Sequence, residues 1–119
     1  MSKRINIQGQ APNAAQLTLY TLEVSRPAGY KGVLKSFIIA NANAAARTVE
    51  LWVVPAGGAP AAANGILLDT NVPANGFISW NGELVFDTAG MTLQIEASAA
   101  TSLTFTGMIE EIQEPIGDQ

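Results

Sequence analysis

Two segments late in the chain alternate apolar and polar side chains one by one. In the first, Met91, Leu93, Ile95 and Ala97 alternate with Thr92, Gln94 and Glu96. In the second, Leu103, Phe105, Gly107 and Ile109 alternate with Thr104 and Thr106. A period of two places successive side chains on opposite faces of a sheet, so each segment offers one face to a core and one to water. Arg47 to Val54 repeats the pattern with Val49, Leu51 and Val53. Gly32 to Ala40 is apolar on both faces, which suits a central strand with a covered outer face. Leu17 to Val24, Gly65 to Val72, Gly76 to Trp80 and Glu83 to Phe86 bring the total to about eight short strands. Turn residues recur at roughly ten-residue spacing, the rhythm of a sandwich or jelly roll. Pro27-Ala28-Gly29, Asn41-Ala42-Asn43 and Thr88-Ala89-Gly90 mark turns, and Asn81-Gly82 signals a tight hairpin. Pro55 to Asn64 is a long Ala- and Gly-rich connection in which Ala61-Ala62-Ala63 has room for a single helical turn. The sequence predicts an all-β protein: a single antiparallel β-sandwich, jelly-roll-like.

At 119 residues the chain has the size of one domain. Its two ends differ from the body. Residues 1–16 are polar, with Ile5 and Ile7 as the only large apolar side chains. Residues 113–119 are mostly polar and acidic, with Ile116 as an isolated apolar knob, and Ile112 stands just before them. The expected organisation is an N-terminal arm over 1–16, a sandwich over 17–112 and an acidic tail over 113–119. Ends of this kind either fray or order against a neighbouring subunit and plant a few side chains there. Lys3, Arg4, Ile5, Ile7, Ile112 and Ile116 are therefore candidate interface residues.

The chemistry is bounded by absence. The chain contains neither Cys nor His. Disulfides, thiolate or imidazole zinc sites and the usual nucleophile–histidine pairs are excluded. Glu83 and Asp87 are the nearest approach to a carboxylate pair, and they span one short strand and its turn. No Gly-rich phosphate loop and no acidic calcium-loop pattern is present, although Asn71, Asn75 and Asn81 supply carbonyls to loops. No enzyme, cofactor or catalytic residue is expected. Charge is placed unevenly. Residues 1–50 carry six bases and two acids, and the remainder carries eight acids and no base, for a net of −4. An acidic protein is a poor partner for nucleic acid. No apolar run approaches the roughly 20 residues that span a bilayer, so no membrane partner is expected either. Met1-Ser2-Lys3-Arg4 leads into a polar stretch with no apolar leader segment. The basic first half either mixes with the acidic second half in the fold or docks on an acidic neighbour.

Trp52 and Trp80 admit three readings. They pack in or beside the core, anchor a protein interface, or stack on sugars as in a carbohydrate-binding module. Both join the candidate interface residues.

The central sequence resembles a known group. Gly32-Val33-Leu34-Lys35-Ser36-Phe37-Ile38-Ile39-Ala40-Asn41 is followed by Arg47-Thr48-Val49-Glu50-Leu51-Trp52-Val53-Val54-Pro55-Ala56-Gly57-Gly58. Ile66-Leu67-Leu68, Val72-Pro73-Ala74-Asn75, Trp80 with Asn81-Gly82, and the Leu103 to Ile112 segment come after. Over residues 17–112 this resembles the small all-β virion structural proteins of tailed bacteriophages. The resemblance implies a structural role and a β-sandwich. A bare domain without heptads or fibrous repeats, and arm-like termini, favour within that group a capsid decoration or cement protein, a homotrimer with the major capsid protein as partner. That reading carries assembly in the host cytoplasm and a final place on the virion head. A tail, baseplate or receptor-binding component is the alternative within the same group.

Overall fold

The computed structural model describes residues 2–23, 29–100 and 102–113. Their strands are β1 (Ser2–Gln10), β2 (Leu17–Thr21), β3 (Tyr30–Asn41), β4 (Arg47–Val54), β5 (Gly65–Val72), β6 (Phe77–Phe86), β7 (Thr92–Ala97) and β8 (Leu103–Gln113). Ala62–Asn64 makes the single turn expected in the long connection, as 3-10 helix. The strands form two four-stranded sheets, ordered β1-β8-β3-β6 and β2-β7-β4-β5. Every pairing is antiparallel. The chain changes sheet at each connection except β4 to β5. Two sheets woven in this way are a jelly roll.

The period-two side chains meet between the sheets. Leu34, Phe37 and Ile39 of β3 lie in one core cluster with Phe105 and Ile109 of β8, Val49 and Leu51 of β4, and Leu93 and Ile95 of β7. Phe37 stacks on Phe105 with ring centroids 5.2 Å apart. Tyr20 meets Phe86 edge-on at 5.3 Å. Each buried Leu, Ile or Phe contributes about 1.5–3 kcal/mol relative to exposure, so this one layer carries most of the fold's stability.

Three sequence expectations need correction. Residues 2–10 are not an arm, because β1 pairs with β8 from Ser2 opposite Ile112 to Gln10 opposite Thr104 without a break. Ile7 is buried in the core cluster, and Ile5 packs against it. An intramolecular sheet thus satisfies a segment whose polar sequence suggests that it waits for a neighbour. Asn81-Gly82 is not a hairpin but lies inside the continuous strand β6. The expected covered outer face of β3 is open at Ile38, which is 48% exposed. At the other end β8 runs through Gln113, one residue into the segment expected as tail. Residues 114–119, Ile116 among them, lie outside the described residues.

One polar group is buried at the end of the sandwich. Glu111 is 2% exposed. The Tyr20 hydroxyl donates to its Oε2 at 2.7 Å, and the Tyr30 hydroxyl donates to its Oε1 at 3.2 Å. Gly32 pairs with Glu111 across the sheet and leaves room for the Tyr20 ring. A methyl group at residue 32 would overlap the Tyr20 hydroxyl and stand 2.9 Å from its Cζ. Gly32→Ala is expected to cost about 1–3 kcal/mol in urea unfolding, the usual scale of overpacking. In the Tyr20→Phe background the same substitution is expected to cost less, because the hydroxyl is gone. An equal cost in both backgrounds would show that the overlap is not what matters.

Candidate interaction surface

The outer face of the β1-β8-β3-β6 sheet is shaped by a bulge. Leu34 pairs with Ile109 and Ser36 with Met108, which leaves Lys35 as one extra residue on β3. On the other side Leu34 pairs with Leu84 and Ser36 with Asn81, so Gly82 and Glu83 both oppose Lys35. Extra residues of this kind bend a strand and raise its twist. Gly82 is needed here because a Cβ would stand 2.7 Å from Cζ2 of Trp80. The Lys35 ammonium closes the gap to Glu83 at 2.9 Å. Glu83 is largely exposed, so this pair contributes little to stability.

A shallow groove of about 450 Å³ lies beside the bulge. Asn6, Met108, Ser36 and Asn81 form one row of its lining across all four strands. Thr106, Ile38 and Ser79 form the next. The lining contains amides, hydroxyls and apolar groups but no titratable side chain. Apolar side chains continue along the β3–β6 side of the same face. Phe77 is 60% exposed and Val85 is 44% exposed, at opposite ends of β6 with Ile38 between them. Large apolar side chains grouped on one sheet face make it a candidate contact surface.

The eight sequence candidates do not form one site. Lys3 and Arg4 are exposed on β1. Arg4 stands opposite Glu110, and Ile112 is half-buried between Ser2 and Lys31. Ile5 and Ile7 belong to the core and its margin. Trp52 lies on the other sheet and is only 6% exposed. Trp80 stacks on Phe37 at 5.5 Å and packs against the core. Trp52 is thus spent on packing, whereas Trp80 is half-buried and also lines the groove. The sequence missed Ile38, Phe77 and Val85. The signal was the apolar run on both faces of β3, which marks an outer face needing cover without saying whether the cover is internal.

The uneven charge is largely mixed by the topology. β1 and β3 from the basic half alternate with β8 and β6 from the acidic half. This places Arg4 beside Glu110 and Lys35 beside Glu83. The outer face of the second sheet differs. Glu50 and Glu96 stand directly opposite each other there, and Gln16 donates to Glu96 at 2.8 Å.

No protein-family model matches the chain, and no curated protein matches it. Solved structures do match. A chain from the disulfide-linked pili of Bacillus endospore appendages has a TM-score of 0.57 at 15% identity, covering 97% of this chain and 88% of that one. A chain of the infectious bursal disease virus Gx strain has a TM-score of 0.52 at 10% identity, covering 98% of this chain and 33% of that one. A chain of the T13 particle of the same virus has a TM-score of 0.52 at 9% identity, covering 92% and 30%. This chain therefore spans about a third of either viral chain. At such identities the likeness is one of fold: the protein is a jelly roll of the kind that occurs in a bacterial pilus and in an icosahedral virus.

Proposed function

We propose that this protein is a structural protein of a tailed-bacteriophage virion, a decoration or cement protein on the head. It binds assembled capsid as a homotrimer and bridges major capsid protein subunits, with no catalytic step. The observation that carries this reading is the open apolar face formed by Ile38, Phe77 and Val85 beside a groove without titratable groups. Such a face suits close packing against another protein. The jelly-roll fold and the sequence resemblance over residues 17–112 support the same reading. Burial of the apolar strip raises the cost of separating the subunits it spans, and repetition over the shell multiplies the effect.

Quantitative mass spectrometry of purified particles tests this. A copy number equal to the major capsid protein, or a simple fraction of it, is expected. A handful of copies per particle would move the protein to the tail or baseplate, and absence would end the virion reading. Phe77→Ser is expected to weaken capsid binding tenfold or more, as loss of an aromatic anchor does. Its melting temperature should stay within a few degrees of the parent, because Phe77 is already mostly in water. Loss of stability without loss of binding would take Phe77 out of the interface.

A second reading is a filament subunit, favoured by the 88% coverage of the pilus chain. Without cysteine its subunits would hold together without disulfides. Electron microscopy of the purified protein at high concentration distinguishes the two, since only the second predicts filaments.

A further inference from the structure

A jelly roll has four sheet edges, and three of these are interrupted. β2 is short and shifts register between Thr18 and Tyr20. β5 shifts register twice along β4, and Asp69 within it has a φ of 50°. β6 slips register against β3 at Gly82 and Glu83. Interruptions of this kind keep an edge from templating another strand. β1 has none: its nine residues stay in register with β8 throughout. No strand among the described residues pairs with its other side.

The direction of its backbone groups follows from one hydrogen bond. Ala11 N–H donates to the Leu103 carbonyl at 2.9 Å, one step beyond the Gln10–Thr104 pair. In an antiparallel ladder the bonded pairs alternate. Ile5, Ile7 and Gly9 therefore bond to β8, and the N–H and C=O of Arg4, Asn6 and Gln8 point away from it.

We propose that β1 pairs with β1 of a second copy, antiparallel about a two-fold axis at Asn6, joining two sheets into one. An axis at Asn6, the middle residue of β1, gives the fullest overlap of the two strands. With Asn6 opposite its mate, Arg4 faces Gln8 of the second copy and Lys3 faces Gly9. Axes at Lys3 or Arg4 would place like charges face to face, which opposes pairing. The Asn6 register also sets Ile5 against Ile7 of the second copy, covering the half-buried Ile5. The contact is isologous, so each copy contributes the same surface. It goes beyond the proposed function and holds whether or not the protein is found in particles. It is also distinct from a three-fold association: homotrimers would be joined through it into larger assemblies.

Asn6→Pro tests the contact without touching the internal ladder. The N–H it removes points away from β8, and an edge strand tolerates proline at such a position. Sedimentation equilibrium is expected to give a wild-type mass twice that of the variant, two copies against one or six against three. Equal masses overturn the proposal. A single-cysteine pair tests the register and does not depend on the proline variant folding. Hydrogen-bonded partners have Cα atoms about 5.5 Å apart, within disulfide reach. Asn6→Cys is therefore expected to give a covalent dimer on mild oxidation. Gln8→Cys should not, because its mate would be offset by four residues, about 13 Å along the strand. No cross-link in the first variant, or an equal one in the second, also overturns the proposal.

Discussion

Deleting residues 1–10 is expected to abolish the cooperative thermal transition of this protein. The segment is not peripheral. It supplies Ile7 to the core cluster and sets Ile5 against its margin. Burying Ile7 contributes about 1.5–3 kcal/mol, and the half-buried Ile5 adds a fraction of that. Removing β1 also strips β8 of a partner along nine residues and opens the flank of Phe105 and Ile109, both fully buried. A domain of this size has about 5–15 kcal/mol in total. The truncated chain should therefore show broad, non-cooperative melting by circular dichroism and bind hydrophobic dyes. An arm that orders only on a neighbour would behave in the opposite way, melting normally and failing only to associate. A sharp transition close to that of the full chain would return β1 to the status of an arm.

The segment shows where the sequence was legible and where it was not. β7 and β8 could be read directly, because Leu93, Ile95, Leu103 and Phe105 fill one side of each strand and the pattern has no competing explanation. β1 carries the same alternation in weaker form. Ile5 and Ile7 alternate with Arg4, Asn6 and Gln8, but Lys3 and Gly9 occupy the remaining inward positions. Two large side chains are too few to separate an edge strand from a polar tail by period alone. Gly82 misled for a different reason. Asn-Gly favours positive φ in a hairpin, but here the glycine is required because the Trp80 ring lies against it in a bulge. The open face was half legible. Ile38 announced an apolar outer side of β3, but Phe77 and Val85 join it only through the pairing of β3 with β6, which local pattern does not encode.

The other large effect is expected at Asn41, a turn residue by sequence that the fold makes central. It is 2% exposed. Its side-chain amide donates to the carbonyls of Ala45 at 2.9 Å, Pro73 at 3.2 Å and Val72 at 3.3 Å. Its Oδ1 accepts the Asn43 N–H at 2.9 Å. One side chain thus ties the β3–β4 turn to the β5–β6 turn, and the backbone bond from Asn75 N–H to the Asn43 carbonyl at 2.9 Å reinforces the tie. Asn41→Asp keeps the shape and replaces the donor with a carboxylate facing three carbonyl oxygens. A buried charge left without a counterpart costs about 3–5 kcal/mol. At roughly 4–8 °C per kcal/mol this lowers the melting temperature by about 12 °C or more. Asn41→Ala removes the bonds without adding a charge and is expected to cost less, about 1–3 kcal/mol. The two variants also differ in their response to pH. The carbonyls favour the protonated form of the introduced carboxyl, so the folded state binds that proton more tightly than the unfolded chain does. Stability then falls as pH rises and returns as pH is lowered, so the deficit of Asn41→Asp should shrink on acidification. That of Asn41→Ala should stay constant relative to the parent. Equal, pH-independent deficits in both would mean that residue 41 acts only by filling space, and that the carbonyls of the two turns find other donors once the amide is gone.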